Sequence, residues 1–80
     1  MTVSDTSIVL KKKEEAELVL SHMVDIVEKY SVVSVEDFYD LVGLKSQHMD
    51  NKYGWTQLND VEIRQVDKGY LINFPALEEI

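Results

Sequence analysis

From Ala16 to Tyr30 the apolar residues recur with the period of an α-helix, and this stripe does most to limit what the chain can fold into. Ala16, Val19, Leu20, Met23, Ile26, Val27 and Tyr30 fall at i, i+3, i+4, i+7, i+10, i+11 and i+14, which is one helical face. Glu14, Glu17, Ser21, Asp25 and Glu28 occupy the opposite face. Asp25 and Lys29 form an i,i+4 pair worth roughly 0.2–0.5 kcal/mol. The spacing predicts a helix over 10–30. Lys11, Lys12 and Lys13 fit a first turn badly, because the helix dipole favours acids there. Either the helix starts upstream, near Ser4 or Asp5, or the lysines precede it. Residues 1–9 show no clear period and are expected to be a flexible lead-in.

Val32 and Val33 stand between serines and predict a short β-prone bridge. A second helix follows over 34–43. Ser34 is its N-cap, Glu36 and Asp37 supply the acidic first turn of a capping box, and Val35, Phe38, Leu41 and Val42 form its buried stripe. Gly43 followed by Leu44 is a Schellman stop, in which glycine takes positive φ and the next apolar residue packs back. Residues 45–60 read less clearly. Asp50-Asn51 can cap a short helical turn over 51–58, with Gly54 costing near 1 kcal/mol inside it. The other reading makes Tyr53-Gly54-Trp55 a tight turn that delivers two aromatics to the core; the helical turn is the expectation, with Trp55 inside.

The last third alternates with period two. Val61 and Ile63 alternate with Glu62 and Arg64; Tyr70, Ile72 and Phe74 alternate with Leu71 and Asn73. Asp67-Lys68-Gly69 supplies the turn of a hairpin over 61–75, and Pro75 ends it because it has no ladder N–H. Setting Ile63 opposite Phe74 places the large residues on one face. Ala76–Ile80 is a tail in which Leu77 and Ile80 are free to dock. Helices followed by a C-terminal hairpin make an α+β domain, and the order is winged-helix-like.

Composition removes several functions. The 80 residues are 45% hydrophobic and 29% charged, ordinary globular usage for one small domain. With no cysteine there is no disulfide framework, zinc finger or thiol nucleophile. Apolar runs such as Ile8-Val9-Leu10 are far short of the roughly 20 residues of a membrane span. That run precedes Lys11–Lys13, the reverse of a signal peptide, so a cytoplasmic protein is expected. A chain of this size buries only about 60% of its unfolded surface, which leaves homodimerisation open. Leu18 and Val24, flanking the first stripe, suggest that helix as the joint.

Catalytic chemistry is thin. His22 and His48 are the only histidines. His22 shares a flank with Asp25, and two ligands do not make a metal site. His48-x-Asp50, near Ser46, is local adjacency rather than a triad, which is built in space. Asp50-Asn51 lacks the order of a calcium loop, and no Gly-rich phosphate loop exists. No enzyme, cofactor or metal is therefore expected.

Charge decides between the partners that remain. Eight Lys+Arg against fifteen Asp+Glu give −7. A winged helix that grips DNA concentrates cations on its recognition helix and wing. Here Lys45, Lys52, Arg64 and Lys68 are offset by Asp50, Asp60, Glu62 and Asp67. Duplex binding should be poor, so nucleic acid is the weaker expectation and a winged-helix DNA-binding regulator the alternative reading. The favoured partner is another protein with a basic surface, engaged by Glu36, Asp37 and Asp40, with Tyr39 or Tyr53 as an apolar anchor. Acids spaced like phosphates would extend this to DNA mimicry.

Ser34-Val-Glu-Asp-Phe-Tyr-Asp-Leu-Val-Gly43, Asp50-Asn-Lys-Tyr-Gly-Trp-Thr-Gln-Leu58 and Gly69-Tyr-Leu-Ile-Asn-Phe-Pro75 together resemble small uncharacterised proteins of bacteriophages and prophages of Gram-positive bacteria. The Lys52-Tyr53-Gly54-Trp55-Thr56 segment and the Gly69-Tyr70…Pro75 finish carry the resemblance, over about half the chain and without the first helix. It implies a viral origin and a host-cytoplasm setting, and attaches no activity.

Overall fold

The long helix forms, but starts later than its period suggests. In the computed structural model, which describes residues 5–80, α1 runs Lys13–Tyr30. Lys11 and Lys12 precede it, and Glu14 and Glu15 take the first turn, where the dipole favours them. Ala16, Val19 and Met23 are its buried residues. It ends at Ser31, which adopts a left-handed φ of 71°. Upstream, Val9 of the expected lead-in and Leu10 of the expected helix form a strand, β1; residues 1–4 of that lead-in lie outside the described residues.

The second helix is built as its punctuation dictates. Val33–Ser34 is the short strand β2, and α2 covers Val35–Leu41. The Asp37 N–H donates to Ser34 Oγ at 3.0 Å, and the Ser34 N–H donates to Asp37 Oδ2 at 3.0 Å. At the other end the Leu44 N–H reaches Tyr39 O (2.9 Å) and the Gly43 N–H reaches Asp40 O (3.2 Å), with Gly43 at φ 77°. These two bonds are the Schellman pair.

Residues 51–58 do not form a helical turn. A 3₁₀ turn occupies His48–Lys52 instead, and Tyr53–Trp55 is a strand, β3. The reason is contact: β3 lies against β2 with Ser34 opposite Gly54. A Cβ at Gly54 would strike the Val33 carbonyl and come within 2.7 Å of Ser34 Cα. Glycine here permits the approach rather than weakening a helix.

The hairpin is β4 (Glu62–Val66) and β5 (Gly69–Asn73), joined by the two-residue turn Asp67-Lys68. Ile63 faces Ile72 rather than Phe74, a slip of two residues that keeps every side chain on its expected face. The chain ends in β6 (Glu78–Glu79), so the tail docks through its backbone, the Ile80 N–H donating to Lys52 O at 2.9 Å. Leu77 and Ile80 remain exposed.

Two antiparallel three-stranded sheets result, ordered β1-β5-β4 and β2-β3-β6. With two helices this is an α+β fold. The segment where a winged helix would carry its reading helix holds the 3₁₀ turn and β3. One core joins α1, α2 and both sheets through Leu10, Met23, Val33, Val35, Phe38, Trp55 and Ile72. Phe74 stacks on Trp55 (4.4 Å, 20°) and meets Phe38 edge-on (5.0 Å, 75°). Trp55 is fully buried, as expected, and its Nε1–H donates to Pro75 O at 2.9 Å.

Candidate protein-binding surface

The expected acids of α2 divide by their duties. Asp37 is committed to the capping box, so its carboxylate holds the helix rather than a partner. Glu36 is half-buried in the first turn and Asp40 is exposed in the last. Tyr39 does not serve as an exposed anchor. Its ring is 8% exposed, and its hydroxyl donates to the Asp5 carbonyl at 2.6 Å, tying the N-terminal segment to α2. Sequence periodicity missed this because the partner lies 34 residues away.

Tyr53, the other expected anchor, is half-buried on β3 and packs against the core. Ser34 pairs with Gly54, which sets the start of α2 beside Tyr53, and Tyr53 pairs with Glu79 across the sheet. Glu36, Tyr53 and Glu79 thereby come to one end of this sheet, joined to Asp40 by one turn of α2. Glu79 was not among the expected site residues; a two-residue strand has no period to betray it. Its neighbour Glu78 is engaged, accepting from Thr56 N–H and Thr56 Oγ1 at 3.1 Å.

The four expected DNA-contacting cations are not brought onto one element. Lys45 lies in the loop after α2 and Lys52 ends the 3₁₀ turn, whereas Arg64 is on β4 and Lys68 is in the hairpin turn. Arg64 Nε is 2.7 Å from Glu62 Oε1, with both side chains more than half exposed. The sheet does gather other cations. Leu10 pairs with Tyr70, so the chain leaves β1 at the hairpin-turn end, bringing Lys11–Lys13 towards Lys68. Glu14, Glu15 and Asp67 share that end and offset them.

His48 is exposed, while Asp50 is fully buried and accepts the Gln47 N–H. Among the described residues no group of three His, Asp or Glu side chains is placed to hold a metal ion. A cleft of about 160 Å³ opens between α1 and the loop after β3, lined in part by Val24, Val27, Glu28 and Leu58. It is smaller than the roughly 300–1,000 Å³ of ligand pockets. No described helix is long and apolar enough to cross a membrane. No family model, curated protein or solved structure matches this chain.

Proposed function

We propose that this chain is a small non-enzymatic module that binds a protein with a basic surface, in the setting of a phage-encoded protein acting in the host cytoplasm. One observation carries the reading. Among the described residues, none of the exposed acids Glu14, Glu17, Asp25, Glu28 and Asp40 closes a salt bridge, in a chain of net charge −7. Unneutralised carboxylates give a negative potential that draws in basic partners and repels phosphate backbones. Glu36, Asp40 and Glu79 around Tyr53 supply the charged rim and apolar anchor of such a contact.

The competing reading is duplex binding through Lys11–Lys13 and Lys68. Each phosphate contact needs a cation, and Glu14, Glu15 and Asp67 beside these lysines weaken that end. Affinity capture from host lysate with wild-type protein and with Glu36→Lys/Asp40→Lys separates the two. Retention of a basic protein by the wild type and its loss from the variant, with both chains folded, is the expected result. Equal retention by both removes these acids from the site. Nuclease-sensitive retention lost in Lys11→Glu/Lys68→Glu establishes the duplex reading instead.

A further inference from the structure

The strand β4 has one free edge, and its sequence is self-complementary about a two-fold axis. On one side β4 pairs with β5; among the described residues nothing pairs with its other side. The two-residue turn closes on Val66 opposite Gly69, a hydrogen-bonded pair. Along β4 the backbone groups of Val66, Arg64 and Glu62 therefore point at β5, and those of Gln65 and Ile63 point away. Charges on an edge ordinarily block pairing with another chain. Glu62 and Arg64 are of opposite sign and stand symmetrically about Ile63, so they block some registers and favour one.

We infer that two copies of this chain associate by antiparallel pairing of β4 with β4, with the two-fold axis passing through Ile63. In that register Ile63 exchanges both backbone hydrogen bonds with the partner's Ile63, and Val61 pairs with the partner's Gln65. The Ile63 and Gln65 groups already point outward, while the Val61 N–H, which donates to Leu58 O at 3.5 Å in the single chain, must exchange that contact for the carbonyl of the partner's Gln65. Glu62 then sits opposite the partner's Arg64, and Arg64 opposite the partner's Glu62. Both are non-hydrogen-bonded positions, where facing side chains come closest. The Arg64–Glu62 bond within one chain does not compete, because a guanidinium has five N–H donors and the contact uses Nε alone. Moving the axis to Val61 would set Glu62 against the partner's Asp60, which is repulsive. Half-buried Ile63, packed against the core, meets its copy at the seam. The β1-β5-β4 sheets of the two copies become one sheet of six strands.

This inference does not depend on the acidic-surface reading, and it departs from a joint along α1. Sedimentation equilibrium over a concentration series up to about 1 mM tests it. The wild type is expected to dimerise, and Glu62→Arg and Arg64→Glu each to weaken dimerisation by roughly tenfold or more, by setting like charges opposite one another. An equimolar mixture of the two variants regains a dimer, since the two arginines of the Glu62→Arg chain then face the two glutamates of the Arg64→Glu chain. The doubly exchanged chain, Glu62→Arg with Arg64→Glu, dimerises by itself and decides the matter if either single variant fails to fold. A monomeric wild type, self-association indifferent to either single exchange, or a mixture and a doubly exchanged chain that both stay monomeric overturns the proposal.

Discussion

Asp37 and Asp40 are acids three residues apart on one short helix, and the fold assigns them opposite effects on stability. Asp37→Ala removes the acceptor of the Ser34 N–H and leaves that part-buried donor unpaired. A hydrogen bond to a charged group contributes about 1.5–3 kcal/mol, and a lost helix cap typically costs about 1 kcal/mol. The reciprocal Asp37 N–H to Ser34 Oγ bond survives the change, so the lower part of that range applies, about 1.5 kcal/mol. In a domain of this size each kcal/mol moves the melting temperature by roughly 4–8 °C, so a fall of about 6–12 °C is expected. Asp40 is exposed in the last turn of α2, which has no basic residue. A negative charge there opposes the carbonyl end of the helix, so Asp40→Ala should be neutral or stabilise by up to about 1 kcal/mol. Far-UV circular dichroism melts, supported by urea titrations with unchanged m, measure both. An Asp37→Ala chain melting with the wild type, or an Asp40→Ala chain losing as much, would refute the division of labour between cap and surface. Adding Ser34→Ala closes a double-mutant cycle, and the shared cap should appear as coupling of about 0.5 kcal/mol or more.

Three further outcomes follow from single contacts. Ser31→Gly relieves the left-handed backbone at the end of α1 and should raise stability by about 1 kcal/mol in thermal melts; no gain would deny that conformation. Trp55→Phe leaves the Pro75 carbonyl without its indole donor and should cost about 1–3 kcal/mol in urea unfolding followed by circular dichroism. Glu78→Ala frees Thr56 from the C-terminal strand, and exchange of the Ile80 amide should quicken by roughly tenfold while that of Ile72 does not change.

Local physics made part of the fold readable from the residues alone. The stripe of α1, the Ser34 cap and the Gly43 stop each act through neighbours within about five residues of chain, and all three form, although Tyr30 at the end of the stripe is exposed. The hairpin kept its faces because period two fixes parity, but the tight turn, rather than the side chains, set which pairs meet. The strands β1, β2, β3 and β6 are two or three residues long and exist through distant partners. Val33 carried a β-branched signal; Gly54 and Glu79 carried none that a short window can detect. The expected site suffered for the same reason. Tyr39 turned inward towards a carbonyl far upstream, and Glu79 reached Tyr53 only through the pairing of β3 with β6.

A paired anisotropy titration at low salt, with a labelled basic peptide and a labelled random-sequence duplex, tests the acidic-surface reading most directly. The account predicts that the peptide binds, weakens as salt is added and loses affinity to Glu36→Lys/Asp40→Lys, while the duplex does not saturate. Saturable, steeply salt-dependent binding of the duplex with an indifferent peptide would contradict it.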